Sequence, residues 1–147
     1  MADQAAAPTQ APTQLIKFSV YLYKKEDLPY DEFIEWVTKV YPTKAAPIMK
    51  RHGILQWTQT MTPPHFREPF RAALQQMGRD QWTIPDYDVV MSYWTPTTDT
   101  IQGLTQDPEW IELEQKEALP RANINLGHFE VGHEILQFGD VRGNGSA

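Results

Sequence analysis

Four short stretches alternate apolar and polar residues with the two-residue period of a β-strand: Leu15–Tyr23, Gly53–Met61, Tyr87–Trp94 and His128–Phe138. In the first, Ile16, Phe18, Val20 and Leu22 form one row, and Lys17, Ser19, Tyr21 and Tyr23 form the other. Successive side chains of a strand point to opposite faces, so the apolar row is expected to bury against helices. The second row carries an amine, a hydroxyl and phenols. It is too polar for a core and too aromatic for plain surface, and it predicts the wall of a pocket.

Between the strands the period lengthens to that of a helix. Phe33, Trp36, Val37 and Val40 recur at helical spacing after Pro29, and Pro42 is expected to stop or kink that helix. Thr43–His52 reads as a second piece with Pro47 inside, ended by Gly53 in a left-handed turn. His65–Gly78 reads as an amphipathic insert helix bearing Phe66, Phe70, Ala73, Leu74 and Met77. Thr97–Gln106 is a weaker helix. Asp107-Pro108 opens a stronger one with Trp110, Ile111, Leu113 and Ala118, ended by Pro120. The order strand-helix-strand-strand-helix-strand predicts an α+β, ferredoxin-like fold: a four-stranded antiparallel sheet with helices on one face. The bare face needs a cover, and a second copy of the chain is the simplest one. A homodimer is therefore expected, with a pocket on the open side of each sheet.

Composition narrows the functions. The chain has 147 residues, enough for one domain over residues 15–138. Met1–Gln14, rich in Ala, Pro, Thr and Gln, is expected to be a disordered arm, and Gly139–Ala147 a loose tail. An aromatic content of 12% with five Trp suits a protein that handles flat, apolar ligands. A net charge of −6 without a basic stripe argues against nucleic acid as a partner. No apolar run is long enough to span a bilayer, and the N-terminus lacks the pattern of a signal peptide, so a cytoplasmic location is expected. The absence of cysteine excludes disulfides, thiolate chemistry and Cys-ligated metals.

The remaining candidate groups are histidines, tyrosines, lysines and carboxylates. His128 and His133 are five apart on one strand, face opposite ways and cannot share a metal; no His pair has ligand spacing. There is no glycine-rich phosphate loop, nucleotide fingerprint or nucleophile elbow, so chemistry without a cofactor is expected. His133 shares a row with Phe129, Val131 and Ile135, where its charged form is disfavoured. That suits a neutral base, or equally a core histidine bonded to a carbonyl. His128 opens its strand as a rim residue, and His52 ends a helix, where the dipole favours a cation. Asp88 is a carboxylate in a strand, an uncommon placement. It meets solvent, pairs with Lys17 or Lys44, or serves a pocket. Tyr41, just before Pro42, either packs or hydrogen-bonds a substrate carbonyl.

Taken together, Phe33–Val40, Tyr41–Gly53 (YPTKAAPIMKRHG), Ile54–Thr60 (ILQWTQT), Pro85–Val90 (PDYDVV), Asp107–Trp110 (DPEW) and Val131–Glu134 (VGHE) make the chain resemble the EthD-like proteins of fungal aromatic polyketide pathways. The match runs from about Ile16 to Phe138. The resemblance implies a dimeric α+β barrel, and points to small fungal decarboxylases acting on anthraquinone-type precursors such as atrochrysone carboxylic acid. Related members are dehydratases; other proteins of that fold are oxygenases or cyclases. One departure matters: the family commonly has His-Ala-Pro where this chain has Tyr41-Pro42-Thr43. A phenol with a pKa of about 10 donates well but is a poor base at neutral pH.

The expected function is thus a cofactor-independent lyase that decarboxylates an aromatic β-keto polyketide acid. Dehydration or cyclisation of a related polyketide, and plain binding of one, are the alternatives. Of Tyr41 and His133, one is expected to hydrogen-bond the enolate oxygen and the other to reprotonate carbon. Asp88 is placed to orient a histidine and His52 at the mouth. Lys17, Tyr21, Tyr23, Lys44, Trp57, Trp94 and His128 are the expected substrate contacts.

Overall fold

The computed structural model describes residues 15–139 and 141, so the N-terminal arm and nearly all of the tail lie outside the described residues. Four strands form one sheet: β1 (Ile16–Leu22), β2 (Gln56–Met61), β3 (Val89–Thr95) and β4 (His128–His133). Their spatial order is β2-β3-β1-β4, and every pairing is antiparallel. This is the ferredoxin-like arrangement expected from the strand–helix order. The barrel implied by the family resemblance is not formed. β2 and β4 lie at opposite edges, each bonded on one side only, and four strands are too few to curl around a packed interior.

The register sorts the rows. Phe18 lies opposite Tyr93 and Val131, Val20 opposite Met91 and Phe129, and Trp57 opposite Tyr93. All of these face the helices. Lys17, Ser19 and Tyr21, opposite Trp94, Ser92 and Val90, face the other way. The core is built on the first face from Phe18, Val89, Met91 and Tyr93 together with Phe33, Trp36, Val37, Tyr41, Ala45, Ile48 and Met49. Phe33, Val37 and Val89 are completely buried.

The first helix crosses Pro42, where the sequence placed a stop or kink, and the last helix ends before Pro120, as expected. α1 (Tyr30–Glu35) runs through a π-helical turn (Trp36–Val40) straight into α2 (Tyr41–Arg51). Proline lacks an N–H and its ring crowds the carbonyl four residues back. In this helix the backbone N–H of Tyr41 bonds Trp36, five residues back, immediately before Pro42. The wider turn rearranges the carbonyls, and the helix continues past the proline. A second π turn stands before Pro120, and there the helix ends. α5 (Pro108–Leu113) passes into a π turn (Glu114–Ala118), where the Leu119 N–H donates to the Glu114 carbonyl at 2.9 Å, just before Pro120. Gly53, at φ 92°, ends the long first helix in the left-handed conformation the sequence suggested.

The insert forms a helix, α3 (Arg67–Gln76), as expected. Its apolar side is not part of the core: Phe66, Phe70 and Met77 are more than half exposed. α4 (Asp99–Gln106) leads to α5 through Asp107, which caps α5 by accepting the Glu109 N–H at 2.8 Å. Among the described residues, no helix is long and apolar enough to cross a membrane.

Candidate functional site

The principal cleft lies between the sheet and the helices, not on the open sheet face where the sequence placed it. The reason is steric. The apolar row of β1 is only partly covered, because α5 and its π turn stand off the sheet near the β4 edge. The gap has two adjoining lobes of about 470 and 330 Å³ that share Val20, Tyr93, Trp110, Glu114 and Phe129.

The floor of the cleft is aromatic. Phe18 stacks on Tyr93 with centroids 4.7 Å apart and planes inclined by 18°, and Phe129 stacks on Phe18 at 5.8 Å. Behind Tyr93, Trp57 continues the stack at 5.8 Å and 12°. Each of the four strands therefore contributes one ring to a row running across the sheet, a consequence of the register that sets Phe18 and Trp57 on either side of Tyr93. The Trp57 indole nitrogen is buried without a hydrogen-bond partner.

The helical wall carries the polar chemistry. Tyr41, 3% exposed, packs its ring against Trp36, Trp57 and Trp110. Its hydroxyl donates to Glu114 Oε2 at 3.3 Å. Among the described residues, Glu114 is the one carboxylate lining either lobe, and it lines both. Burial raises its pKa above the usual carboxylate range, and the bond from Tyr41 works in the opposite direction. The Tyr41 phenol is itself held well above its ordinary value, first by burial and then by the charges of Tyr93 and Glu114. Tyr93 is raised for the same first reason, and its hydroxyl donates to Met91 Sδ at 3.3 Å. Both phenols thus stay protonated around a carboxyl that ionises reluctantly.

An ion-pair brace fixes the two helices that carry this pair. The Trp36 indole donates to Glu117 Oε1 at 2.8 Å, Lys44 reaches Glu117 Oε2 at 2.5 Å, and the Arg121 guanidinium lies 5.2 Å from the Trp36 ring centroid. Lys44 holds the Glu117 carboxyl below the usual range. At the other end, Asp107 accepts from Arg51 at 2.8 Å and pairs with His52 Nε2 at 2.7 Å. Those bonds hold the Asp107 carboxyl far below its ordinary value.

The residues singled out from sequence divide between the faces. Tyr41 and Trp57 belong to the cleft side. Lys17, Tyr21, Tyr23 and Trp94 occupy the open face, where Lys17 lies 5.3 Å from the Trp94 ring and 3.6 Å from Glu134. There Tyr21 donates to Glu130 at 2.8 Å, which raises its pKa to about 12. Tyr23 and His128 share a hydrogen bond of 3.0 Å, and His128 also borders the second lobe. Asp88 is buried and accepts the backbone N–H of Lys24 at 2.8 Å, so it pairs with neither Lys17 nor Lys44. Lys44 and His52 are engaged in the braces just described.

His133 shares the helix-side row with Phe129 and Val131, as expected, but β4 is an edge strand. Its residues are exposed, and His133 lines neither lobe. The structure therefore does not set it in the apolar shelter its neighbours implied. Glu114 went unnoticed in the sequence. The signal was its position four residues from both Trp110 and Ala118, which puts a carboxylate on the apolar stripe of its helix. Among the described residues, no group of three or more His, Asp or Glu side chains could hold a metal ion.

Comparison with known proteins gives the chain its family. The dehydratase iacD of Pestalotiopsis fici is 25% identical over 122 residues, covering 80% of this chain and 88% of that protein. The dehydratase CTB10 of Cercospora beticola is 28% identical over 100 residues, covering 68% and 74%. A dimeric protein of unknown function with a ferredoxin-like fold, from Bacteroides fragilis, superposes with a TM-score of 0.53 at 11% identity, covering 82% of this chain and 96% of that one. The model of the EthD domain matches residues 25–118, from just after β1 to the end of the second π turn. The chain is a member of the EthD domain family.

Proposed function

We propose that this protein is a lyase of the dehydratase type, acting without a cofactor on a planar aromatic polyketide bound in the cleft between sheet and helices. The observation that carries the reading is the row of stacked rings under the cleft, Tyr93, Phe18 and Phe129, facing the Tyr41–Glu114 pair. Flat fused rings gain dispersion and stacking on such a floor, and a protonated phenol beside a reluctant carboxylate serves proton transfer. The relatives named above are dehydratases, which favours loss of water over the decarboxylation first expected. The uncovered sheet face, with Tyr21, Trp94 and Lys17, is read as the contact between two copies, in line with the dimeric protein of the same fold.

The test is high-resolution mass spectrometry of a freshly made aromatic polyketide bearing a β-hydroxy ketone, with and without the protein. Protein-dependent loss of water supports the reading. Loss of carbon dioxide from the corresponding β-keto acid, or rearrangement at constant mass, replaces it with a decarboxylase or a cyclase. Binding with no covalent change removes catalysis altogether.

A further inference from the structure

Dehydration next to a carbonyl needs one group to take a proton from carbon and one to give a proton to the departing hydroxyl. His133, the base suggested by sequence, lines neither lobe of the cleft. We propose that Glu114 does both jobs: its carboxylate takes the proton from the carbon beside the substrate carbonyl and returns it to the hydroxyl that leaves. Tyr41 is the positioning residue that holds the carboxylate toward the floor. This assignment rests on the cleft being the substrate site.

Three features of the geometry lead to it. Among the described residues, Glu114 is the one carboxylate that lines both lobes, so it borders either part of the ring floor. Its Oε2 is tethered by the Tyr41 hydroxyl at 3.3 Å, which holds the carboxyl at the cleft wall it lines. It also opens the π turn that sets the stretch Glu114–Ala118 apart from regular helix, a feature common at functional sites. Burial supports the double role, because a carboxyl raised toward neutrality both accepts and releases a proton more evenly. The titratable groups facing it are Tyr41 and Tyr93, both kept neutral by burial, with His128 at the border of the second lobe.

The step balances. The C–H bond breaks, its electron pair forms the carbon–carbon double bond, and the C–O bond on the neighbouring carbon breaks. The hydroxyl departs with the proton carried by Glu114, as water, and Glu114 returns to carboxylate. Nothing is oxidised or reduced.

The experiment uses the full chain in deuterated water with a bicyclic aromatic β-hydroxy ketone that becomes a naphthol on losing water. Mass spectrometry follows two quantities above the protein-free blank: water loss, and deuterium entering the carbon beside the carbonyl. Glu114→Gln keeps the shape and the acceptor for Tyr41, and circular dichroism checks its fold. Glu114→Asp is the rescue variant, expected to retain part of both activities. Wild type is expected to catalyse both, and Glu114→Gln to lose both by about 10²–10⁴-fold. Exchange without water loss in wild type, abolished in Glu114→Gln, keeps Glu114 as the base but overturns its acid role and the dehydratase reading. Folded Glu114→Gln with either activity near wild type overturns the assignment. So does wild type that catalyses neither.

Discussion

Replacing Tyr41 by Phe removes one hydroxyl and keeps the ring among Trp36, Trp57 and Trp110, with centroids 5.1, 6.0 and 6.5 Å away. The interaction lost is the hydrogen bond to Glu114 at 3.3 Å, longer than an ideal charged bond. A well-formed bond to a charged group contributes about 1.5–3 kcal/mol, and this length reduces it to about 1 kcal/mol. Relief from burying the hydroxyl offsets part of that. The net cost is therefore at most about 1 kcal/mol, a fall of roughly 3–5 °C in Tm for a domain of this size. Tyr41→Ala deletes the whole buried ring and should cost about 3–5 kcal/mol. The Phe variant has a second effect. The bond from Tyr41 is what lowers the Glu114 pKa against burial, so its removal should move the Glu114 titration further upward. Urea unfolding of wild type and both variants gives the stabilities, and carbon NMR of labelled glutamate carboxyls gives the titration. If Phe is as damaging as Ala, or if the Glu114 titration stays put or moves down, the described hydrogen bond does not operate in solution.

Glu114 also sets a pH dependence of stability. Its folded pKa lies above the unfolded one, so the folded state holds the proton more tightly, and stability falls as pH rises through that interval. Glu114→Gln should therefore be more stable than wild type at neutral pH and lose the advantage in acid, as thermal melts across pH would show. Asp107 has the opposite sign: its depressed pKa supplies stability above the ordinary carboxylate range that disappears as pH falls through and below it. Asp107→Asn should flatten the acid limb of the stability profile while keeping the helix cap, and Asp107→Ala should lose the cap as well. Phe129 is 56% exposed at the outer end of the ring row. Phe129→Ala should leave Tm nearly unchanged yet weaken a planar aromatic ketone about tenfold, the worth of one stacking contact, as read by tryptophan fluorescence titration.

The strand order and the division of β1 into two rows could be read from the residues, because period-two alternation has one structural meaning when helices cover one side. The weight given to each row could not. The polar row looked like a pocket wall, yet its groups satisfy one another: Tyr21 with Glu130, Ser19 with Ser92, Trp94 with Glu134. The apolar row looked like plain core, but α5 leaves part of it uncovered. Which polar groups find partners across strands depends on register, and periodicity carries no register between distant segments. Pro42 misled for a related reason. A proline forbids regular helix, but a single wide turn is a local remedy that propensity does not announce. Glu114 was visible as a charge on an apolar stripe, and only the Tyr41 hydroxyl, 73 residues away in sequence, shows what it meets.

Both wide turns amount to one additional residue in an otherwise regular helix, and they occur at the exit to Tyr41 and at Glu114. Each residue advances a helix by about 100°. Loss of a single codon within Trp36–Val40 would restore ordinary winding and rotate α2 against α1 by that angle. The phenol and the carboxylate would then no longer point at each other, with every side chain of the pair still encoded. In this scaffold, reaction chemistry can be gained or lost through in-frame changes in length that leave the recognisable residues in place. Relatives are therefore better compared by the spacing from each wide turn to its following proline than by the identity of the residues between.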